Sequence, residues 1–273
     1  MRLLVAILIL ATSLKAAAHV EILVQGAEAL EIRDILPALG PGAEIVRLGP
    51  YVFHVGEIGG HRVAVTYTGQ ALINCTASTI LAIEEFHPRL IINQGTSGSQ
   101  SLSLHLHDIV IGRRCLDYGN FCTAPRAEGE GSATLTWTPL SQRMRNPAND
   151  RLEEFPGGFE GDAYLLDLAL HVPNPSGRVL PGIIGSAHEV NLELDRVRWT
   201  HDTFGMDVEE MESGHVAALA YAYGIRYIAF RVVSDAPFDK VDFEPEAARV
   251  TALYTVAFLQ HLPAIPAPSQ PPR

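Results

Sequence analysis

Residues 71–99, ALINCTASTILAIEEFHPRLIINQGTSGS, decide the fold. Apolar residues recur at helical spacing over 71–86, and the pattern stops before Pro88, whose ring has no N–H to continue a helix. Leu90-Ile91-Ile92 then reads as a buried strand that empties into the glycine-bearing loop 95–99. A helix feeding a wholly apolar strand with glycines at its carboxyl end is one unit of a sheet covered by helices.

The same alternation extends in both directions. Upstream, a short β-type run over 20–24 ends at Gln25-Gly26 and leads into a helical pattern over 27–39. Extended stretches over 51–57 and 61–66 are split by the turn Gly59-Gly60. Downstream, 108–112 is another buried strand. A helix over 162–171, a strand over 177–185, a helix over 208–223, a strand over 227–233 and an amphipathic helix over 244–262 complete the series. The expected architecture is a single α/β domain over 19–262 with a mixed, largely parallel central sheet. Ligands of such sheets bind at the carboxyl ends of strands, where Gly95, Gly185 and Ser234-Asp235 fall. Residues 123–161 form an irregular insertion rich in Pro, Gly, Arg, Glu and Asn, and 263–273 a proline-rich tail.

Composition narrows the function. The chain has 273 residues, 47% hydrophobic and 19% charged, enough for a full core without staples. Its formal charge of −11, with no basic run, argues against a nucleic-acid or anionic-membrane partner. Met1-Arg2, the apolar run 3–14, Lys15 and Ala16-Ala17-Ala18 have the order of a secretory signal, so an exported, periplasmic or secreted protein is expected, with no membrane role after cleavage. The alternative is a buried first element. Of three cysteines, Cys115 and Cys122 flank a short segment. They read either as a disulfide formed after export or as two unrelated buried thiols; export makes the disulfide the expectation. His105 and His107 lack further ligands at a metal spacing, and neither a metal nor a cofactor is expected.

Three carboxylates stand out by position. Glu31 follows a strand-to-helix turn, Glu212 opens an alanine-rich helix behind Met211, and Asp235 ends an apolar strand. A carboxylate at a strand's end can face a pocket where burial raises its pKa, which suits a general acid. The bland readings are an N-cap or turn for Asp235, dipole-stabilised acids at a helix start for Glu209, Glu210 and Glu212, and a solvated face for Glu31.

The order of these signals resembles one family. Gln25-Gly26-Ala27 with Glu31, Thr68-Gly69, Ile91-Ile92-Asn93-Gln94-Gly95-Thr96-Ser97-Gly98, Glu210-Met211-Glu212 and Arg231-Val232-Val233-Ser234-Asp235 look like the methylthioadenosine/S-adenosylhomocysteine nucleosidases of the purine nucleoside phosphorylase superfamily. Residues 195–212 look especially like its exported bacterial members. The resemblance implies a nucleoside phosphorylase-like fold and hydrolysis of the N-glycosidic bond of a purine nucleoside. It implies that Glu31 activates water held with Arg231 and Thr96, and that Thr96, Ser97 and Gly98 form the substrate loop. Glu212 would accept the ribose hydroxyls, Glu210 would stand with it among the substrate-binding residues, Met211 would pack on the sugar, and Asp235, supported by Ser234, would protonate N7. Phe243 would lie at the 5′ end, and a homodimer would share the pocket.

Two departures matter. The family's Asp-Ala-Phe-Ile-Asn stretch near the purine appears here as Ala187-His188-Glu189-Val190-Asn191, without the aromatic. Phosphorylases of the superfamily place an arginine shortly before the glycine-rich loop, where this chain has Ile92-Asn93-Gln94, so water is the expected nucleophile. The competing readings are a phosphorolytic enzyme and a non-catalytic nucleoside-binding or storage protein of the same fold.

Overall fold

The computed structural model describes residues 19–265. The secretory-signal reading of 1–18 and most of the proline-rich tail lie outside the described residues.

In chain order the elements are β1 (Ile22–Gly26), α1 (Ala29–Ile32), β2 (Glu44–Leu48), β3 (Tyr51–Ile58), β4 (His61–Tyr67), α2 (Ala71–Phe86), β5 (Leu90–Ser99) and β6 (Ile109–Asp117). The insertion holds β7 (Phe121–Cys122), β8 (Thr138–Pro139), β9 (Gln142–Arg145), β10 (Leu152–Phe155) and β11 (Phe159–Glu160). Then follow α3 (Ala163–Leu170), β12 (Val179–Ser186), α4 (Leu194–Phe204), β13 (Val208–Glu210), α5 (Ser213–Tyr223), β14 (Arg226–Asp235) and α6 (Ala247–His261).

Among the described residues, ten strands make one mixed sheet in the order β11-β6-β12-β13-β5-β1-β4-β3-β2, with β14 joining β5 to β6. β4, β1, β5 and β14 run parallel. Because β6 pairs with both β12 and β14, and β13 links β12 to β5, those five strands close on themselves. Side chains alternate across a strand. Ile22, Val24, Leu90, Ile92, Phe230 and Val232 therefore pack toward α3 and α6 in one core. Leu23, Ile91, Ala229 and Val233 face the second core with residues of α2 and α5. Burial on both faces explains why these strands read as unbroken apolar runs. The β3–β4 turn places both Gly59 and Gly60 at positive φ, the conformation a two-residue hairpin demands.

Several elements differ from expectation. The helix over 27–39 is one turn, α1, followed by a 3-10 turn at Leu36–Leu39; Pro37 removes a donor and restricts Leu36. Residues 95–99 are not a loop: β5 continues through them because β14 and β13 hydrogen-bond to their two sides. The helix over 208–223 begins only at Ser213, since β12 and β5 draw Val208–Glu210 into the sheet. The disulfide is absent. Cys115 is a buried thiol on β6 and Cys122 an exposed one on β7, because the Cys115 side chain turns into the core while Cys122 faces solvent.

Candidate active site

The carboxyl ends of β1, β5 and β14 and the start of α5 surround a cleft of about 610 Å³. All eleven residues singled out from the sequence line it: Glu31, Thr96, Ser97, Gly98, Glu210, Met211, Glu212, Arg231, Ser234, Asp235 and Phe243. Eight acidic side chains line it against two cations, Arg231 and Lys240, so the interior disfavours anions.

Glu31 is held from four directions. Its Oε2 accepts the Ala27 and Glu28 N–H groups at 2.6 and 3.0 Å. Its Oε1 accepts the Thr96 N–H and hydroxyl at 2.7 and 2.9 Å. Four donors fill the roughly four acceptor sites of a carboxylate. The packing requires Gly95: a Cβ there would lie 2.4 Å from Glu31 Oε1 and 2.8 Å from Arg231 Nη1.

Arg231 is 1% exposed and anchored deep in the sheet. Its Nε donates to Ser213 Oγ at 3.0 Å and its Nη1 to the Thr96 carbonyl at 3.3 Å. Its Nη2 donates to Asn93 Oδ1 and pairs with Glu210 Oε2 at 2.5 Å, with Glu212 Oε2 at 3.5 Å. Burial works against the guanidinium charge, and Glu210 and Glu212 outweigh it, raising its pKa further. A guanidinium carries five N–H donors. Four have protein partners, which leaves one on Nη1, beside Glu31.

Glu210 and Glu212 differ sharply despite their spacing. Glu210 accepts from the N–H groups of Glu212 and Ser213 and from the hydroxyls of Ser186 and Ser213. With Arg231 added it has no acceptor site left, so Glu210 lines the cleft and anchors Arg231. Glu212 is 3% exposed, and its one hydrogen bond comes from the Ala71 N–H at 2.8 Å. Burial, then the neighbouring Glu210, holds Glu212 well above the usual carboxylate range, against the pull of Arg231. Ala71 adopts φ +70°, a strained conformation for a residue with a Cβ, and this turn delivers its N–H to Glu212.

Asp235 ends β14. Its Oδ1 accepts the Ser234 hydroxyl at 2.9 Å, and Oδ2 lies over Gly98, where an added Cβ would come within 2.8 Å. Burial raises its pKa, partly offset by the Ser234 bond. The Ser97 hydroxyl is committed to the Val232 carbonyl at 3.0 Å, so Ser97 contributes backbone rather than its side chain. Phe243, 52% exposed, stands at the rim.

The sequence reading missed Gln70, Leu192, Lys240, Asp242 and a role for Glu209, all of which line the cleft. His105 and His107 pair with Asp239 and Glu244. Among the described residues no group of three or more His, Cys, Asp or Glu side chains is placed to hold a metal ion.

Residues 21–260 match the family model described as Phosphorylase superfamily. The chain belongs to this superfamily. A 5′-methylthioadenosine/S-adenosylhomocysteine nucleosidase of Listeria monocytogenes serotype 4b is 27% identical over 209 residues, 74% of this chain and 81% of its own. The enzyme of that name from Staphylococcus saprophyticus is 26% identical over 200 residues, 70% of this chain and 76% of its own. Among solved structures, the Campylobacter jejuni nucleosidase of the same name has a TM-score of 0.70 at 19% identity, covering 89% of this chain and 100% of its own. The futalosine hydrolase of Helicobacter pylori has a TM-score of 0.70 at 22% identity, covering 89% and 98%. Both structures share the fold of this phosphorylase-superfamily chain.

Proposed function

We propose that the chain hydrolyses the N-glycosidic bond of a purine nucleoside, the reaction class of the 5′-methylthioadenosine/S-adenosylhomocysteine nucleosidases, and releases the free base. The observation that carries this reading is the division of labour around one cleft. Asp235 is a carboxyl kept protonated to higher pH by burial, and Glu212 is a carboxyl with acceptor sites open. Cleaving the C1′–N9 bond leaves the electron pair on the base and positive charge on the sugar. Asp235 gives its proton to N7, so the base departs neutral. Glu212 accepts the 2′- and 3′-hydroxyls, and its oxygen lone pairs face the cation forming on the ring. Water adds to C1′ and loses a proton to Glu31 once the Thr96 hydroxyl swings off Oε1. The spare Nη1–H of Arg231 is placed to hold that water. Asp235 is reprotonated from solvent, and Glu31 releases to solvent the proton it took from water.

Water rather than phosphate fits this interior. Arg231 is occupied by Glu210, Asn93, Ser213 and Thr96, and the cleft's acids repel an anion. The test is base release from a panel of purine nucleosides with and without phosphate. Hydrolysis yields free sugar at a rate independent of phosphate; a sugar phosphate would make the enzyme a phosphorylase. Tight nucleoside binding with no base released would make it a binder.

We infer two further properties. The rim carries contiguous exposed apolar side chains: Leu72 and Ile73 at the start of α2, and Val190 and Leu192 beyond His188, whose Nε2 accepts the Leu72 N–H at 3.0 Å. A second copy of the chain covers this rim as a homodimer, which sedimentation velocity tests; a monomer at micromolar concentration would refute it. Residues 1–18 direct export, giving a mature protein that begins near His19. A full-length intact mass for protein taken from the medium or periplasm would refute that.

A further inference from the structure

Among the buried carboxylates of the cleft, Glu209 alone is used by neither the reaction nor the Arg231 anchor. It is 6% exposed and sits on β13, directly opposite Gly98 of β5. Its Oε2 accepts the Tyr118 hydroxyl at 2.8 Å and the Asn191 side-chain amide. Its Oε1 accepts only the Asn191 N–H, at 2.8 Å. Three donors for about four sites leave one acceptor position open on Oε1. Burial pushes the carboxyl up to about 7, and its three bonds restrain that rise.

The sheet puts this open position opposite the acid. β13 and β14 flank β5 at Gly98, so Glu209 and Asp235 stand on either side of the strand, about 10 Å apart between backbones at ordinary strand spacing. A Cβ at Gly98 would lie 2.8 Å from Asp235 Oδ2 and 3.4 Å from Glu209 Cγ. The glycine therefore opens a slot between two carboxyl-bearing side chains. A purine in that slot with N7 at Asp235 turns its C2 edge toward Glu209, because C2 lies diagonally across the bicycle from N7. Glu189 also lines the cleft, but Arg196 already holds it at 2.9 Å.

We propose that Glu209 selects the base by accepting a hydrogen bond from an exocyclic 2-amino group, so that the site favours guanine-type purines. The inference rests on the nucleoside-hydrolase reading for the seating of N7, and it adds which base is released. An unfilled buried acceptor discriminates because a base with C–H at position 2 leaves it desolvated and unpaired.

Free bases test this without turnover. Two pairs differ only by the 2-amino group: guanine against hypoxanthine, and 2,6-diaminopurine against adenine. Calorimetric titration at pH 8 is expected to give roughly ten-fold tighter binding of the amino member in both pairs. In Glu209→Gln the two ratios fall to within about three-fold, chiefly by weakening the amino members. Tyr118→Phe disturbs the same network yet leaves the open Oε1, and it keeps both preferences. Equal wild-type affinities within each pair overturn the proposal, whether or not the variants fold. Equal weakening of all four bases by Glu209→Gln also overturns it, leaving Glu209 an anchor for Asn191. A preference for the amino members with no base released from any nucleoside would instead refute the hydrolase reading alone.

Discussion

Asp235 and Glu212 keep positions that the protein leaves open, whereas Glu31 and Glu210 meet protein donors on every side. That contrast predicts distinct kinetic signatures. Asp235→Asn keeps the side chain's size and its ground-state hydrogen bonds but has no proton for N7. We expect kcat to fall on the order of 10²–10⁴-fold, about 3–5 kcal/mol of barrier, with KM little changed. Steady-state kinetics on the best nucleoside of the panel checks this, and near wild-type kcat would remove Asp235 as the acid. Glu212→Gln should raise KM as well as lower kcat, because the hydroxyls it accepts are bound before the bond breaks. Gly95→Ala has another origin. Its methyl would collide with the Glu31 carboxylate, a fixed group rather than a flexible end, so the Glu31 bonds to Thr96 must break. The expected result is loss of most activity together with a lower Tm; a variant matching wild type in both would contradict the packing described.

β13 is three residues long, yet it carries the contact on which the site's electrostatics depend. Glu210 at its end pairs with Arg231 on β14, and both are buried. Breaking such a pair by removing one charge leaves the other uncompensated, a cost of about 3–5 kcal/mol. Glu210→Gln should therefore shift urea unfolding by that amount, whereas Phe243→Ala at the exposed rim should stay within about 0.5 kcal/mol. A small shift for Glu210→Gln would mean that Glu212, with the hydrogen bond to Asn93, suffices to compensate the guanidinium. The same elements show what the sequence could disclose. β5 and β14 are legible because burial on both faces writes unbroken apolar runs, and their ends point to Gly95, Ser234 and Asp235. β13 is not legible: three residues show no period, and its acids look like the first turn of the helix that follows. Glu209 was for that reason indistinguishable from a dipole-stabilised surface acid. The course of β5 through residues 95–99 was equally hidden, since Gly95-Thr96-Ser97-Gly98-Ser99 has the composition of a loop and is extended only because β13 and β14 pair with it. Position drew notice to Glu31, whereas family resemblance supplied its role together with Met211 and Phe243, which periodicity could not have singled out. It did not reveal that Glu210 is saturated, because hydrogen-bond occupancy is a property of the assembled sheet.

Across the whole molecule, a cleft that gathers protonatable acids makes folding depend on pH in a sense opposite to ordinary acid denaturation. Burial raises the pKa of Asp235, of Glu209 to about 7, and of Glu212. In the unfolded chain the same carboxyls titrate near 4. Between those limits the folded state holds protons that the unfolded state has released, so stability falls as pH rises. The contribution of these groups is fully present below pH about 4 and is lost as pH climbs through 7 and beyond. Net charge acts in the same direction, because the chain reaches its formal −11 only as its last acids ionise, and repulsion grows on the way. Asp108 works oppositely and lower on the scale. Burial alone would raise its pKa, but the Arg178 bonds bring it below the usual value, and that stabilisation disappears only in stronger acid. Thermal melts of the ligand-free protein should therefore show the highest Tm near pH 5 and a steady decline to pH 8.5. Glu212→Gln should flatten the decline, since its neutral amide has no proton to lose. A Tm that rises from pH 5 to 8 would mean that these carboxyls are ionised in the folded protein, and Asp235 would then lack the proton that the proposed chemistry spends.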